Sequence, residues 1–361
     1  MGPDWANTRD GIVSDIIVQS GNGLGRIRLN RPKAIHALTT DMCLAILDAL
    51  AEFEADDEIA VVVFDHAASP DGDPKLSRGF CAGGDIRMLA ESGKGDGSQA
   101  RAFFHAEYRM NHRLFAYAKA TIAVMDGITM GGGVGIALPC RYRIATENTR
   151  FAMPETGIGL FPDVGGGWYL SRLPGQLGKF LALTGARLDG ADCLALGLAT
   201  HYLQAADVPA AIAALNDSTD IFATLKAHGT GAPLARIVEN RTHIDRLFAG
   251  ETVADIMAAL EADGGDWAMK EHATLRTKSP LSMAVALRQL REGGSMPDFA
   301  AEMRQEYAIG ARVVHTHDFI EGVRALIVDK DNAPNWVPNV DPREVDAIFA
   351  PMPAGQEWTP Q

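Results

Sequence analysis

Two carboxylates eight positions apart, Glu155 and Asp163, lie between two glycine triplets, Gly131-Gly132-Gly133 and Gly165-Gly166-Gly167. Carboxylates can move protons or attack carbonyl carbon. Backbone amides freed by glycine can stabilise developing negative charge. Together these residue types point to acyl chemistry. Gly157, Gly159 and Pro162 prevent one helix from running through both acids, so the two meet through loop geometry. Leu160, Phe161 and Trp168 are apolar candidates for the walls of an acyl pocket, and burial beside them would raise the proton affinity of a carboxyl.

The elements that must position these residues read as a mixed α/β chain. Ile16-Ile17-Val18 and Arg26-Ile27-Arg28-Leu29 flank Ser20-Gly21-Asn22-Gly23 and predict a hairpin. The fragment GNGLG within it follows a strand but leads into another strand, so it is no dinucleotide-binding turn. Thr39 or Thr40 caps a helix running to Ala55, with Met42, Ile46, Ala49, Leu50 and Phe53 on one face. Ile59 to Phe64 is a strand covered on both sides. A polar stretch, Ser69 to Arg78, leads to Gly79-Phe80-Cys81-Ala82-Gly83-Gly84-Asp85, and Ser92 to Ser98 reads as a mobile loop. A helix over Ala100 to Lys119, a strand at Thr121 to Met125, the turn Asp126-Gly127, the first triplet opening a short helix, and a strand at Arg141 to Ala145 follow. After Trp168 the pattern is helical: Leu177 to Thr184, Ala191 to Leu196, Val208 to Leu215, Thr252 to Ala262, a helix opened by Ser279-Pro280, and Phe299 to Val313. This predicts a core of repeated ββα units over 1–200, a helical region over 201–350, and a frayed tail over 351–361.

With 361 residues, 47% hydrophobic and 22% charged, the chain can bury a sizeable core. A net charge of −13 argues against binding DNA, RNA or an anionic membrane surface. No apolar stretch is long enough to span a membrane. Cys43, Cys81, Cys140 and Cys193 form no CxxC pair, and the histidines show no ligand spacing with paired acids, so no metal is expected. The N-terminus has neither a basic head with an apolar run nor an Arg-rich, acid-free composition. A cytoplasmic location is the expectation.

Leu29-Asn30-Arg31-Pro32-Lys33-Ala34 with Ala37-Leu38, then Phe80 to Asp85, then Asp126-Gly127-Ile128 running into the triplet, resemble the crotonase (enoyl-CoA hydratase/isomerase) superfamily. The runs ITMGGGVG, FAMPETGIGLFPDVGGG, LTGARLDGADCLALGLATH and HDFIEGVRALIVDKD resemble its 3-hydroxyisobutyryl-CoA hydrolase branch. The resemblance implies a crotonase-like spiral of ββα units, an acyl-CoA substrate, no separate cofactor, and C-terminal helices that can join copies into a homo-oligomer. It assigns the oxyanion hole to the amides of Gly84 and Gly132, catalysis to Glu155 and Asp163, and substrate contacts to Glu107, Gly132 and Asp85. Lys33, Arg31 and Arg87 are candidate cations for the CoA phosphates.

Two departures from the superfamily pattern carry meaning. A hydratase places a second glutamate three residues beyond the oxyanion glycine; here that position is Gly135. His36 replaces an asparagine common in the segment along the CoA. The first departure favours attack at the thioester carbon over addition at the β-carbon, and so hydrolysis of a short branched β-hydroxyacyl-CoA such as 3-hydroxyisobutyryl-CoA in valine breakdown. Glu155 would activate water or attack directly to give an anhydride, and Asp163 would orient the water or Glu155, or bind the substrate hydroxyl. An enoyl-CoA hydratase or isomerase and a non-catalytic acyl-CoA-binding protein are the competing expectations.

Overall fold

The computed structural model describes residues 15–68 and 78–360. The leaderless reading of residues 1–14 and the polar stretch 69–77 lie outside the described residues. Nine strands are present among these: β1 Ile16–Gly21, β2 Leu24–Leu29, β3 Val61–His66, β4 Gly79–Cys81, β5 Ala120–Met125, β6 Ile128–Met130, β7 Tyr142–Ala145, β8 Arg150–Ala152 and β9 His201–Tyr202. Six form a sheet in the order β1-β2-β3-β5-β7-β9, and three form a second in the order β4-β6-β8. Beyond Tyr202 the regular structure is helical. The described residues divide into two compact units, one made of 15–68, 78–84, 110–151 and 187–238, the other of 85–109, 152–186 and 239–360.

The first unit holds the large sheet. The hairpin β1-β2 is antiparallel and turns on Asn22 and Gly23, whose φ values of 52° and 80° are those of a primed turn that matches strand twist. From β2 onward the sheet is parallel, so each return needs a crossover. The first crossover is the helix Thr40–Ala55, capped by Thr39, whose hydroxyl accepts the Met42 N–H at 3.2 Å. It buries Met42, Ile46, Ala49, Leu50 and Phe53 as their spacing requires. One sheet face packs Leu24, Val61, Val63, Ile122, Val124 and Ile144 against Leu203, Ala211, Ile212, Leu215 and Leu225.

The second unit is built of helices with strong local starts. Ser279 caps Pro280–Gly293, Asp298 caps Phe299–Val313, and Thr316 caps His317–Val323. The expected loop at 92–98 is a tight turn: the N–H groups of Gly95 and Gly97 both reach the Ser92 carbonyl, and the Ser92 hydroxyl accepts from Ala100 N. Residues 351–360 have no helix or strand, yet Trp358 is fully buried and Arg109 donates to the Thr359 carbonyl at 3.0 Å.

Candidate active site

In the first unit the two glycine-rich loops lie side by side. Gly84 bridges Leu38 in parallel register, and the Leu38 N–H donates to the Gly83 carbonyl at 2.8 Å. The helix Gly132–Ala137 starts beside them: a side chain on Gly83 would lie within 3.9 Å of Gly132 N. Gly133 must be glycine, because a Cβ there would collide with the Cys81 carbonyl. As the first helical residue, Gly132 has an N–H with no partner inside its own helix. Gly83 thus brings the loop that carries Gly84 beside the start of the helix Gly132–Ala137. Gly135 is buried, and its carbonyl accepts from Asn111 Nδ2 at 2.9 Å.

The second unit gathers the acids. Glu107 comes from the helix Ser98–Phe115, Glu155 from the single turn Glu155–Ile158, and Asp163 from the loop before the helix Gly166–Leu170. All three are buried. The Glu155 turn is fastened from behind: the Thr156 carbonyl accepts the Ser279 N–H at 3.0 Å, and the Thr156 hydroxyl donates to the Leu183 carbonyl at 3.1 Å. Ser279 in turn donates to Asp318 Oδ2 at 2.5 Å, and Asp318 Oδ1 accepts the Val337 N–H. Gly159 closes the turn at φ 77°, packed so tightly on the Asp318 carbonyl that any Cβ would collide.

Burial raises the proton affinity of all three acids, and the charge of Asp163 adds to it for Glu107 and Glu155. Glu107 and Glu155 are pushed well above the carboxylate range by desolvation and then by the charge of Asp163. Lys278 pulls Glu155 partly back. Desolvation brings Asp163 to about 7, but the Tyr108 hydroxyl, donating to Asp163 Oδ2 at 2.9 Å, opposes the rise. Neither Glu155 Oε2 nor Glu107 Oε1 has a hydrogen-bond partner among the described residues. Near neutral pH the protons therefore sit on Glu155 and Glu107, and Asp163, titrating at about 7, carries what negative charge the cluster holds. That is an acid–base set with two unengaged oxygens.

Other expected site residues have separate duties. Asp85 caps the helix Ile86–Gly93 by accepting the Met88 N–H. Arg31 donates to the Ala37 carbonyl, and Arg87 to the Ile327 carbonyl at 3.4 Å. His36 is fully buried, its Nδ1 accepting the Arg31 N–H at 3.0 Å, and desolvation lowers its pKa to about 4. Tyr108, Ser279 and Asp318 were not singled out by the sequence. Ser279 was legible only as a cap, and nothing in the chain marks Tyr108 except its place beside Glu107. No group of three or more His, Cys, Asp or Glu residues suited to a metal occurs among the described residues.

Residues 24–349 match the enoyl-CoA hydratase/isomerase family. A 3-hydroxyisobutyryl-CoA hydrolase, mitochondrial, from Danio rerio is 39% identical over 94% of this chain and 90% of its own length. Its counterpart from Xenopus laevis is 41% identical over 87% and 82%. Among solved structures, a carnitinyl-CoA dehydratase from Mycobacterium thermoresistibile is 38% identical, with a TM-score of 0.89, covering 96% of this chain and 98% of its own. The mitochondrial naming of the relatives overturns the cytoplasmic expectation. The expectation leaned on the composition of residues 1–14 and on the lack of a long apolar stretch, neither of which fixes a compartment.

Proposed function

The chain belongs to the enoyl-CoA hydratase/isomerase family, and on that footing we propose that it hydrolyses a short branched β-hydroxyacyl-CoA, 3-hydroxyisobutyryl-CoA, to 3-hydroxyisobutyrate and CoA. The 3-hydroxyisobutyryl-CoA hydrolases that match most of its length support this assignment. The observation that carries it is the acid inventory. Hydration of an enoyl thioester needs a second carboxyl on the helix Gly132–Ala137, and that position is Gly135. Glu155 and Asp163 supply instead an acid and a base for attack on the thioester carbon.

The thioester oxygen is assigned to the amides of Gly84 and Gly132, where each lost donor would cost ~3–4 kcal/mol of barrier stabilisation. Glu155 Oε2, which no donor engages, is the attacking atom or the group that holds the attacking water. Either attack releases one proton, and ionised Asp163 takes it. The proton then passes to the departing sulfur, so that H and OH of one water add across the C–S bond. On the direct route Glu155 forms an anhydride, which a water cleaves to restore the acid. Glu107 Oε1 is assigned to the substrate. No cofactor beyond the CoA of the substrate is required. Valine breakdown as the setting, and assembly through the C-terminal helices, belong to the same reading.

The test mixes purified protein with 3-hydroxyisobutyryl-CoA and with crotonyl-CoA while free thiol and enoyl absorbance are followed. Thiol release from the first, with no loss of enoyl absorbance from the second, is expected. Enoyl absorbance falling with no thiol released from either substrate would mean a hydratase. Tight binding without turnover would mean an acyl-CoA-binding protein.

A further inference from the structure

The loop Pro162 to Gly167, which carries Asp163, holds a conformation its own residues disfavour. Val164 sits at φ 54°, a left-handed backbone that a β-branched residue adopts only where its surroundings impose it. Two helices supply the constraint. From Pro280–Gly293, Gln289 Nε2 donates to the Pro162 carbonyl at 2.8 Å. From Phe299–Val313, Glu306 accepts the Gly165 N–H on Oε2 at 2.7 Å and the Gly167 N–H on Oε1 at 3.2 Å. Gln289 also donates to Glu306 Oε1 at 2.9 Å, tying the two anchors together. These bonds bracket Asp163 and Val164 on both sides.

Glu302, one helical turn before Glu306, is fully buried, and no donor reaches either of its oxygens among the described residues. It lies within hydrogen-bonding reach of Glu306. Two ionised carboxylates in such a place repel, so the pair keeps one proton. Burial pushes Glu302 up to about 7 and Glu306 well above the carboxylate range. Three N–H donors converge on Glu306 and oppose its rise. On that geometry the shared proton is assigned to Glu302, which donates to Glu306. The other charged or titratable groups facing the pair are Asp163 and Tyr108 on the Glu306 side, and Arg172 and Glu292 on the Glu302 side.

We propose that Glu306 is the positioning residue of this site: its carboxylate, partnered by protonated Glu302 and tied by Gln289, holds the strained loop that presents Asp163. This rests on the hydrolase reading above, and Glu306 is assigned no contact with substrate.

The test is thiol release by the wild type and four variants across a pH series, with thermal unfolding and CoA binding measured on the same preparations. Glu306→Gln keeps one acceptor oxygen and turns an amide donor either toward the Gly165 N–H or toward the Gly167 and Gln289 donors. It is expected to lower kcat about a hundredfold, the effect of a misplacement near 1 Å, with KM little changed. It also removes a negative charge near Asp163, so the acid limb of the kcat profile moves to lower pH. Gln289→Met keeps the charge and is expected to lower kcat about tenfold with the limb unmoved; it serves if Glu306→Gln does not fold. Glu302→Met, which cannot donate, is expected to lower kcat, and Glu302→Gln, which can, to restore it. Wild-type kcat in Glu306→Gln or in Gln289→Met, or equal loss in both Glu302 variants, overturns the proposal. Difference infrared spectra of wild type against Glu302→Gln at pH 7 should show the loss of one protonated-carboxyl band. Loss of a carboxylate band instead overturns it even if the wild type releases no thiol, the result that would defeat the hydrolase reading by itself.

Discussion

Tyr108 donates its hydroxyl to Asp163, while Glu155 Oε2 and Glu107 Oε1 receive no donor among the described residues, and this one asymmetry separates three buried acids into roles. Glu155→Gln is therefore expected to lower thiol release about a thousandfold, within the range acid–base groups supply, while CoA binding measured by calorimetry stays near the wild-type level. Full activity in that variant would remove Glu155 from the mechanism. Tyr108→Phe takes away the bond that opposes protonation of Asp163. A hydrogen bond to a charged group is worth about 1.5–3 kcal/mol, so the acid limb of the kcat profile should move up by about one pH unit or more. An unmoved limb would mean that Asp163 is not the group that must ionise. Glu155 and Asp163 were legible as candidates because both stand in a short run whose glycines and prolines are themselves informative. Tyr108 was invisible because its partner lies 55 positions away, and no local pattern encodes that pairing.

At the scale of elements, the Glu155 turn owes its position to segments far along the chain. Ser279, Asp318 and the Asp318 carbonyl back it, which accounts for the C-terminal run HDFIEG standing beside the run that carries Glu155. Gly159→Ala adds a Cβ at positive φ against that carbonyl, and should cost about 2–4 kcal/mol of stability and most of the activity. Thermal unfolding and turnover check this, and a variant of unchanged stability would show that the turn is not packed as described. The helices and longer strands were legible because periodicity and caps are local: Thr39, Ser279 and Phe299–Val313 fall as their sequences predict. The three-residue strands β4, β6 and β8 were not, since so few residues show no alternation. Glu302 and Glu306 carry a signal of their own in the sequence. They stand four apart on the stripe that also carries Phe299 and Met303, and acids on an apolar face ask for buried partners.

For the molecule as a whole, the buried acids are a cost in stability that the chemistry requires. The sign follows from Asp163, whose proton affinity is raised from an unfolded value near 4 to about 7 in the folded chain. Its contribution is fully present below pH ~4, where both states are protonated, and is lost as pH rises through 7. Asp163→Asn, a neutral mimic, should leave stability little changed at low pH and raise it by up to about 4 kcal/mol at pH 8, while abolishing turnover. Denaturant unfolding at the two pH values tests this, and equal stability of variant and wild type at pH 8 would contradict it. The four cysteines are buried and form no disulfide, so thiol detected in turnover of the folded protein comes from CoA. The central claim is attack at the thioester carbon, and the destination of oxygen from labelled water tests it most directly. After turnover of 3-hydroxyisobutyryl-CoA, mass spectrometry should find the heavy oxygen in the carboxylate of released 3-hydroxyisobutyrate, and after a single turnover by the anhydride route in Glu155. Heavy oxygen confined to the C3 hydroxyl of an intact CoA thioester would contradict the account.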